Sequence, residues 1–284
     1  MVIDAHHHVW DPGARQHHWL ESQPRLRRAF GLAEYAKQSA AAGVTASVLV
    51  QVLASTAETE DLLAAAAATA GQIPVVAGVV GWVDLTGDVH RELDRLRARP
   101  GGDRLAGVRH LVQDEPDPGW LGRPDVGRGL RAVGAAGLAY DLLVRPSQLP
   151  AALRVTAGLD EVRFVLDHGG KPEIRAGRVE PWAGLIAEMA ALPNVTCKLS
   201  GLVTEAGPAW TPASFEPYVG HLLESFGPGR LMFGSDWPVC TVAASYAEVT
   251  ALARGLLAGR LSEDEQAAVF GMTAASVYRL NVAG

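Results

Sequence analysis

Val2-Ile3-Asp4-Ala5-His6-His7-His8 begins apolar and runs into three histidines. The pattern reads as a buried β-strand whose C-terminal end turns polar. Side chains alternate along a strand, so His6 and His8 share one face, Asp4 lies one step below them, and His7 points to the other side, where it packs. Two imidazoles beside a carboxylate suit a metal ion or a polarised carbonyl oxygen better than an apolar core. A purification tag would be a longer homopolymer without strand sequence before it.

Comparable short runs recur through the chain: Ala46–Val52, Val75–Val83, Leu105–His110, Ala139–Val144, Arg163–His168, Val195–Gly201 and Leu231–Asp236. Helical patterns separate them at 33–42, 56–70, 88–98, 125–136, 147–157, 181–191, 211–225 and 243–257. A last helix over 262–278 opens with Ser262 and Glu265, spaced as a capping box. Near-continuous apolar strands alternating with helices imply a parallel sheet covered on both faces. Eight such units fit an α/β fold of the (β/α)8 TIM-barrel type, of about 250 residues, with an additional C-terminal helix. One domain over residues 1–284 is expected. An open doubly wound sheet would carry a glycine-rich phosphate loop after its first strand, where this chain has histidines. Segments 11–30 and 113–124 read as long βα loops on the catalytic face.

Composition narrows the partners. Hydrophobic residues make up 48% and charged residues 20% of the chain, as in a soluble enzyme. Net charge is −6 without a basic cluster, so neither nucleic acid nor an anionic membrane is expected as a partner. Residues 64–83 are uncharged, but Gly71, Gln72 and Pro74 split them into a helix end, a turn and a strand. No export signal is expected, and two cysteines, Cys197 and Cys240, suit a cytoplasmic protein. Only Lys37, Lys171 and Lys198 stand among 25 basic residues, so a retained lysine gains a little interest.

In a barrel, the C-terminal strand ends converge on one site. Those ends hold His6 and His8, Gln51, Trp82, Arg109 and His110, Tyr140 and Asp141, His168, Lys198 and Ser200, and Asp236. His6, His8, His168 and Asp236 can hold one divalent ion, zinc first and manganese second, with a position left for water. Asp236 beside that water is the candidate base, and His168 joins it as a catalytic residue. Without metal, the histidines can hydrogen-bond a carbonyl oxygen directly. Gln51, Trp82, Arg109, His110, Tyr140 and Lys198 are the candidate substrate contacts. Strand parity admits only one of Arg109 and His110 to the interior, and makes Asp167 structural. Trp10, Trp19, Trp120 and Trp237 join Trp82 as rings for rim packing or sugar stacking.

The motifs DAHHHVWD (4–11), GWVDL (81–85), GVRH (107–110), YDLL (140–143), VLDHGGKP (165–172), NVTCKLSGL (194–202) and RLMFGSDWPVC (230–240) follow in order. Together they resemble the lactonases of the amidohydrolase superfamily (amidohydrolase 2 type), in particular its sugar-lactonase group, from residue 3 to about 280. The resemblance implies a barrel that hydrolyses a sugar-acid lactone. His6, His8 and His168 would contact the metal or the carbonyl oxygen, and Asp236 would be the base. A binuclear centre is not expected, because Arg109-His110 stands at the end of strand 4 in place of a carbamylated lysine. Members of the group do not all depend on metal. Non-oxidative decarboxylation on the same barrel and non-enzymatic sugar-acid binding are the alternatives.

Overall fold

The computed structural model describes residues 1–282. Its eight strands are β1 (Ile3–His7), β2 (Ala46–Val50), β3 (Val75–Gly81), β4 (Leu105–His110), β5 (Ala139–Leu142), β6 (Arg163–Leu166), β7 (Val195–Leu199) and β8 (Leu231–Phe233). They pair in sequence order, every pair parallel. The ring closes where the chain beyond β8 meets β1: Asp236 N donates to His6 O (2.8 Å) and His8 N to Trp237 O (2.7 Å). This is a (β/α)8 barrel. The expected helices form at Leu32–Ala40, Thr56–Ala67, Val89–Arg97, Pro124–Ala135, Leu149–Ala157, Trp182–Ala190, Glu216–Phe226 and Tyr246–Leu257. No described helix is long and apolar enough to cross a membrane.

The C-terminal helix is one helical run from Glu263 to Val277 with a π-turn at Ala268–Met272. Its capping box is present: Ser262 Oγ accepts from Glu265 N, and Glu265 accepts from Ser262 N at 2.8 Å. Tyr278, just past the helix, is buried in the barrel interior with Ile3, Ala5, Val48, Val80 and Met232. That small apolar cluster forms the lower layer. A larger cluster, with Leu49, Leu142, Phe164 and Phe233, fills the space between strands and helices.

Three strand-end expectations need correction, all for one physical reason: the backbone leaves ideal strand geometry where the site begins. First, β1 carries a bulge between Asp4 and His7, visible as a register shift against β2. Asp4 therefore does not share a face with His6. It points outward and accepts from Ser235 N, Ser235 Oγ, Tyr35 OH and Tyr246 OH. Second, β6 stops at Leu166 and a tight turn of Asp167–Gly170 follows, with His168 left-handed at φ 56°. The broken alternation lets Asp167 and His168 both reach the interior, so Asp167 is not a mere packing residue. Third, β8 stops at Phe233, and Asp236 is also left-handed at φ 57°. His7 faces outward as parity requires, stacked on Tyr35 at 3.7 Å and bonded to Ser47 Oγ at 3.0 Å.

Candidate active site

At the C-terminal end of the barrel lies a cavity of about 610 Å³, lined by His8, Arg109, His168 and Asp236 and by residues of seven βα loops. Its volume lies in the range of small-molecule sites. His6 lies buried against this floor, its Nε2 3.1 Å from His8 Nε2 and 3.8 Å from Asp236 Oδ1. His8 Nε2 is 3.4 Å from the same carboxylate oxygen. Two glycines make this crowding possible. A Cβ on Gly234 would stand 2.6 Å from His6 Cβ, and one on Gly201, at φ 65°, would stand 2.5 Å from His168 Nδ1.

The ring protons follow from the partners. His8 Nδ1 donates to Val50 O at 2.7 Å, because a carbonyl only accepts. The other ring nitrogen, Nε2, faces the Asp236 carboxylate, a contact that wants a cation or proton between them. Edges of 3.1 to 3.8 Å are close to the ~3.3 Å between ligand atoms of a tetrahedral ion with bonds near 2.0 Å. The donor set of His6, His8 and Asp236 therefore fits a divalent cation. His168 falls in a second group, with His6 and Asp167, and not within the first triad.

Electrostatics favour neutral rings and ionised carboxylates. Burial, aided by Lys198, pushes His6 well below the ordinary histidine value, against the pull of Asp167. Burial also takes His168 down to about 4, although Asp236 and Asp167 pull the other way. For Asp236, burial works upward, but His168, His8 and Lys171 hold it below the usual carboxylate range. The His168 ring is fixed by Ser200 Oγ, 2.8 Å from Nδ1.

Beneath the floor sits a dry layer of four charges. Asp167 pairs with Arg109 and Lys198, both at 3.0 Å, and Lys198 pairs with Asp141 at 2.5 Å. Tyr278 OH donates to Asp141 at 2.8 Å. The layer meets the site at His6 Nδ1, which is 3.1 Å from Lys198 Nζ and 3.4 Å from Asp167 Oδ1. Burial opposes ionisation of Asp167, but Lys198, His6 and Arg109 hold it well below the usual range. Two cations and two anions cancel, which makes their burial tolerable.

The expected substrate contacts divide. Arg109, not His110, faces the interior, which answers the parity question. Its guanidinium bonds Asp167, His6 and both the backbone and side-chain oxygens of Gln51, so Gln51 supports Arg109 and does not line the cavity. Lys198 is fully buried below His6, out of substrate reach. Tyr140 faces the helix layer and packs on Phe164. Trp82 donates to His110 Nδ1 (2.9 Å), His110 bonds Glu115 (2.6 Å) and stacks on Trp120, and these residues stand outside the cavity. Trp10 and Trp237 are buried in an aromatic cluster with Phe30, while Trp19 lines the cavity. Sequence reasoning missed Gln113, Arg145, Lys171, Thr204 and Glu205, which the loops bring to the cavity wall. The scarcity of lysine had marked Lys171, and nothing in spacing marked the others.

With this geometry in view, the comparisons are specific. A family model described as amidohydrolase matches residues 3–280. The chain belongs to the amidohydrolase family. It is 38% identical to an L-fucono-1,5-lactonase of Burkholderia ambifaria, covering 98% of this chain and 96% of the relative. An L-rhamnono-gamma-lactonase of Scheffersomyces stipitis is 26% identical over 49% of this chain and 47% of its own length. Among solved structures, an amidohydrolase from Burkholderia multivorans with bound zinc superposes with a TM-score of 0.90, at 38% identity and 99% coverage of both chains.

Proposed function

We propose that this enzyme opens a sugar-acid lactone, a 1,5- or 1,4-lactone of a 6-deoxy sugar in particular, to the free aldonic acid. One observation carries the reading: an ionised Asp236 beside three histidines at the base of a sugar-sized cavity, in a chain with full-length similarity to an L-fucono-1,5-lactonase. A dicarboxylate substrate would need free cations. Lys171 faces Glu205, Arg145 faces Asp114 and Arg109 faces Asp167, so the wall suits a neutral polyol.

Asp236 takes a proton from water as the water oxygen attacks the lactone carbonyl carbon. The ring carbon–oxygen bond then breaks, and the Asp236 carboxyl returns the proton to the departing ring oxygen. In the tautomer where Nδ1 accepts from Ser200 Oγ, neutral His168 carries its proton on Nε2 and can donate it toward the developing oxyanion. His6, His8 and Asp236 would hold a divalent ion, zinc by our proposal, which supplies Lewis-acid polarisation of the carbonyl when bound. The two cysteines are free and buried, and our reading places the enzyme in the cytoplasm.

The test is a panel of sugar lactones, aliphatic lactones and aromatic acids followed with a pH indicator. Acid release from 6-deoxy sugar lactones, at the highest kcat/KM of the panel, is expected. Carbon dioxide release from an aromatic acid, with no lactone opened, would overturn the assignment.

A further inference from the structure

The cavity wall beside His168 holds polar groups whose hydrogen bonds are incomplete. Lys171, left-handed at φ 54° in the turn after β6, donates to Gln113 Oε1 at 2.8 Å and stands 3.4 Å from Glu205 Oε1. An ammonium has three N–H donors, so one is left over. Among the described residues, Glu205 has no other side-chain or backbone donor, and most of its acceptor capacity is unused. Next to it, Thr204 Oγ1 is buried without a partner; so is Trp19 Nε1, and both residues line the same cavity. Buried polar atoms are rarely left unpaired, and two of them in the lining of one cavity mark where a ligand completes the bonds.

The chemistry of the group selects the ligand. Lys171 offers a donor, Glu205 an acceptor and Thr204 both, while the charges of Lys171 and Glu205 cancel. Two adjacent hydroxyls, each donor and acceptor, match that set; a carboxylate meets Glu205 and an apolar ring satisfies none of it. Lys171 follows His168 by three residues, its N–H donates to His168 O at 2.9 Å, and its charge is felt at Asp236. The wall therefore adjoins His168 and Asp236.

The geometry points to Lys171, Thr204 and Glu205 as a diol-recognition subsite that takes the hydroxyls on C2 and C3 of the lactone. The assignment rests on the lactonase reading above. It makes these three residues, from the loops after β6 and β7, specificity determinants; the strand-end residues are not.

The experiment compares kcat/KM for an aldonolactone and its 2,3-dideoxy counterpart in wild type, Thr204→Val, Thr204→Ser, Glu205→Gln and Lys171→Met. Wild type should favour the diol by about 100-fold or more, as expected when buried polar groups would otherwise go unpaired. Thr204→Val and Glu205→Gln should each cut that preference roughly 10-fold, the loss of a hydrogen bond to a buried group, whereas Thr204→Ser should keep it. Thr204→Val is near-isosteric and guards against a folding defect in Lys171→Met. A preference unchanged in all variants, with both constants falling in step, would mean a structural role and overturn the subsite. A wild type active on both lactones without preference overturns the subsite and leaves the lactonase standing. A wild type inactive on both removes the two together.

Discussion

Lys198→Met removes the one cation shared by two fully buried carboxylates. In the native protein Lys198 lies 2.5 Å from Asp141 and 3.0 Å from Asp167, and all three side chains are fully buried. The variant keeps Arg109 at 3.0 Å from Asp167 but leaves Asp141 with only Tyr278 as a donor. Breaking a buried pair from one side costs about 3–5 kcal/mol, because the remaining charge stays desolvated. For 284 residues at roughly 2.1 cal/mol/K each, the entropy of unfolding is about 0.6 kcal/mol/K, so Tm should drop by about 5–8 °C. The loss should also depend on pH. Burial already raises Asp141 to about 6, against the pull of Lys198, and losing that pull raises it further. A carboxyl raised in the folded state stabilises most below its unfolded value and loses that contribution as pH climbs through the folded one. Lys198→Met should thus be nearer wild type at pH 5 than at pH 8. Adding Asp141→Asn restores neutrality, and the double variant should be less destabilised than the sum of the singles by at least ~1 kcal/mol. Urea unfolding of the four proteins at both pH values decides it. Additive costs, or a Lys198→Met variant as stable as wild type at pH 8, would refute a coupled charge layer.

Asp236→Asn should lose roughly 100- to 10,000-fold in turnover with an unchanged circular dichroism spectrum, since it keeps the shape and removes the base; turnover within a few-fold of wild type would dismiss that role. Removing divalent ions with a chelator should lower activity and added zinc should restore it, whereas a fully active metal-free protein would assign carbonyl polarisation to the histidines alone. Glu58, buried and raised to about 7 despite accepting from Val52 N and Leu53 N, should make stability decline as pH rises from about 4.5 to 7; Glu58→Gln should flatten that slope in urea titrations. Gly234→Ala should displace His6, whose Cβ would be 2.6 Å away, and cut kcat more than Tm; an unaffected kcat would show the ring has room.

The barrel was legible because its signal is periodic and repeated: strands such as Ala46–Val50 and Phe164–Leu166 are apolar runs between amphipathic helices. The convergence of His6, His8, His168 and Asp236 was legible because the C-terminal ends of barrel strands meet at one place. Alternation failed where geometry bends. The bulge in β1 moved Asp4 outward, and the left-handed turn after β6 moved Asp167 inward, neither of which a period of two can express. Tyr140 misled because its neighbour Asp141 takes the interior side of β5, and Lys198 because a strand position gives a side, not a depth. Thr204 and Glu205 were invisible because a short helix, Leu202–Ala206, places them, and loop conformation has no period to read.

The floor of the site is assembled from distant parts of the polypeptide. His6 and His8 are synthesised well before Asp236, and Tyr278, which braces Asp141 from below, follows later still. During synthesis β1 waits for the strand that closes the ring, with its histidines and the charge layer unpartnered. Elements that pack together must all be present before they can fold, and here the charge layer is complete only after Tyr278 has emerged. An N-terminal fragment would carry His6 and His8 yet have neither Asp236 nor Tyr278. Circular permutation in a surface loop, which would bring Tyr278 and β1 into one early segment, is a way to change the order of assembly without changing the catalyst.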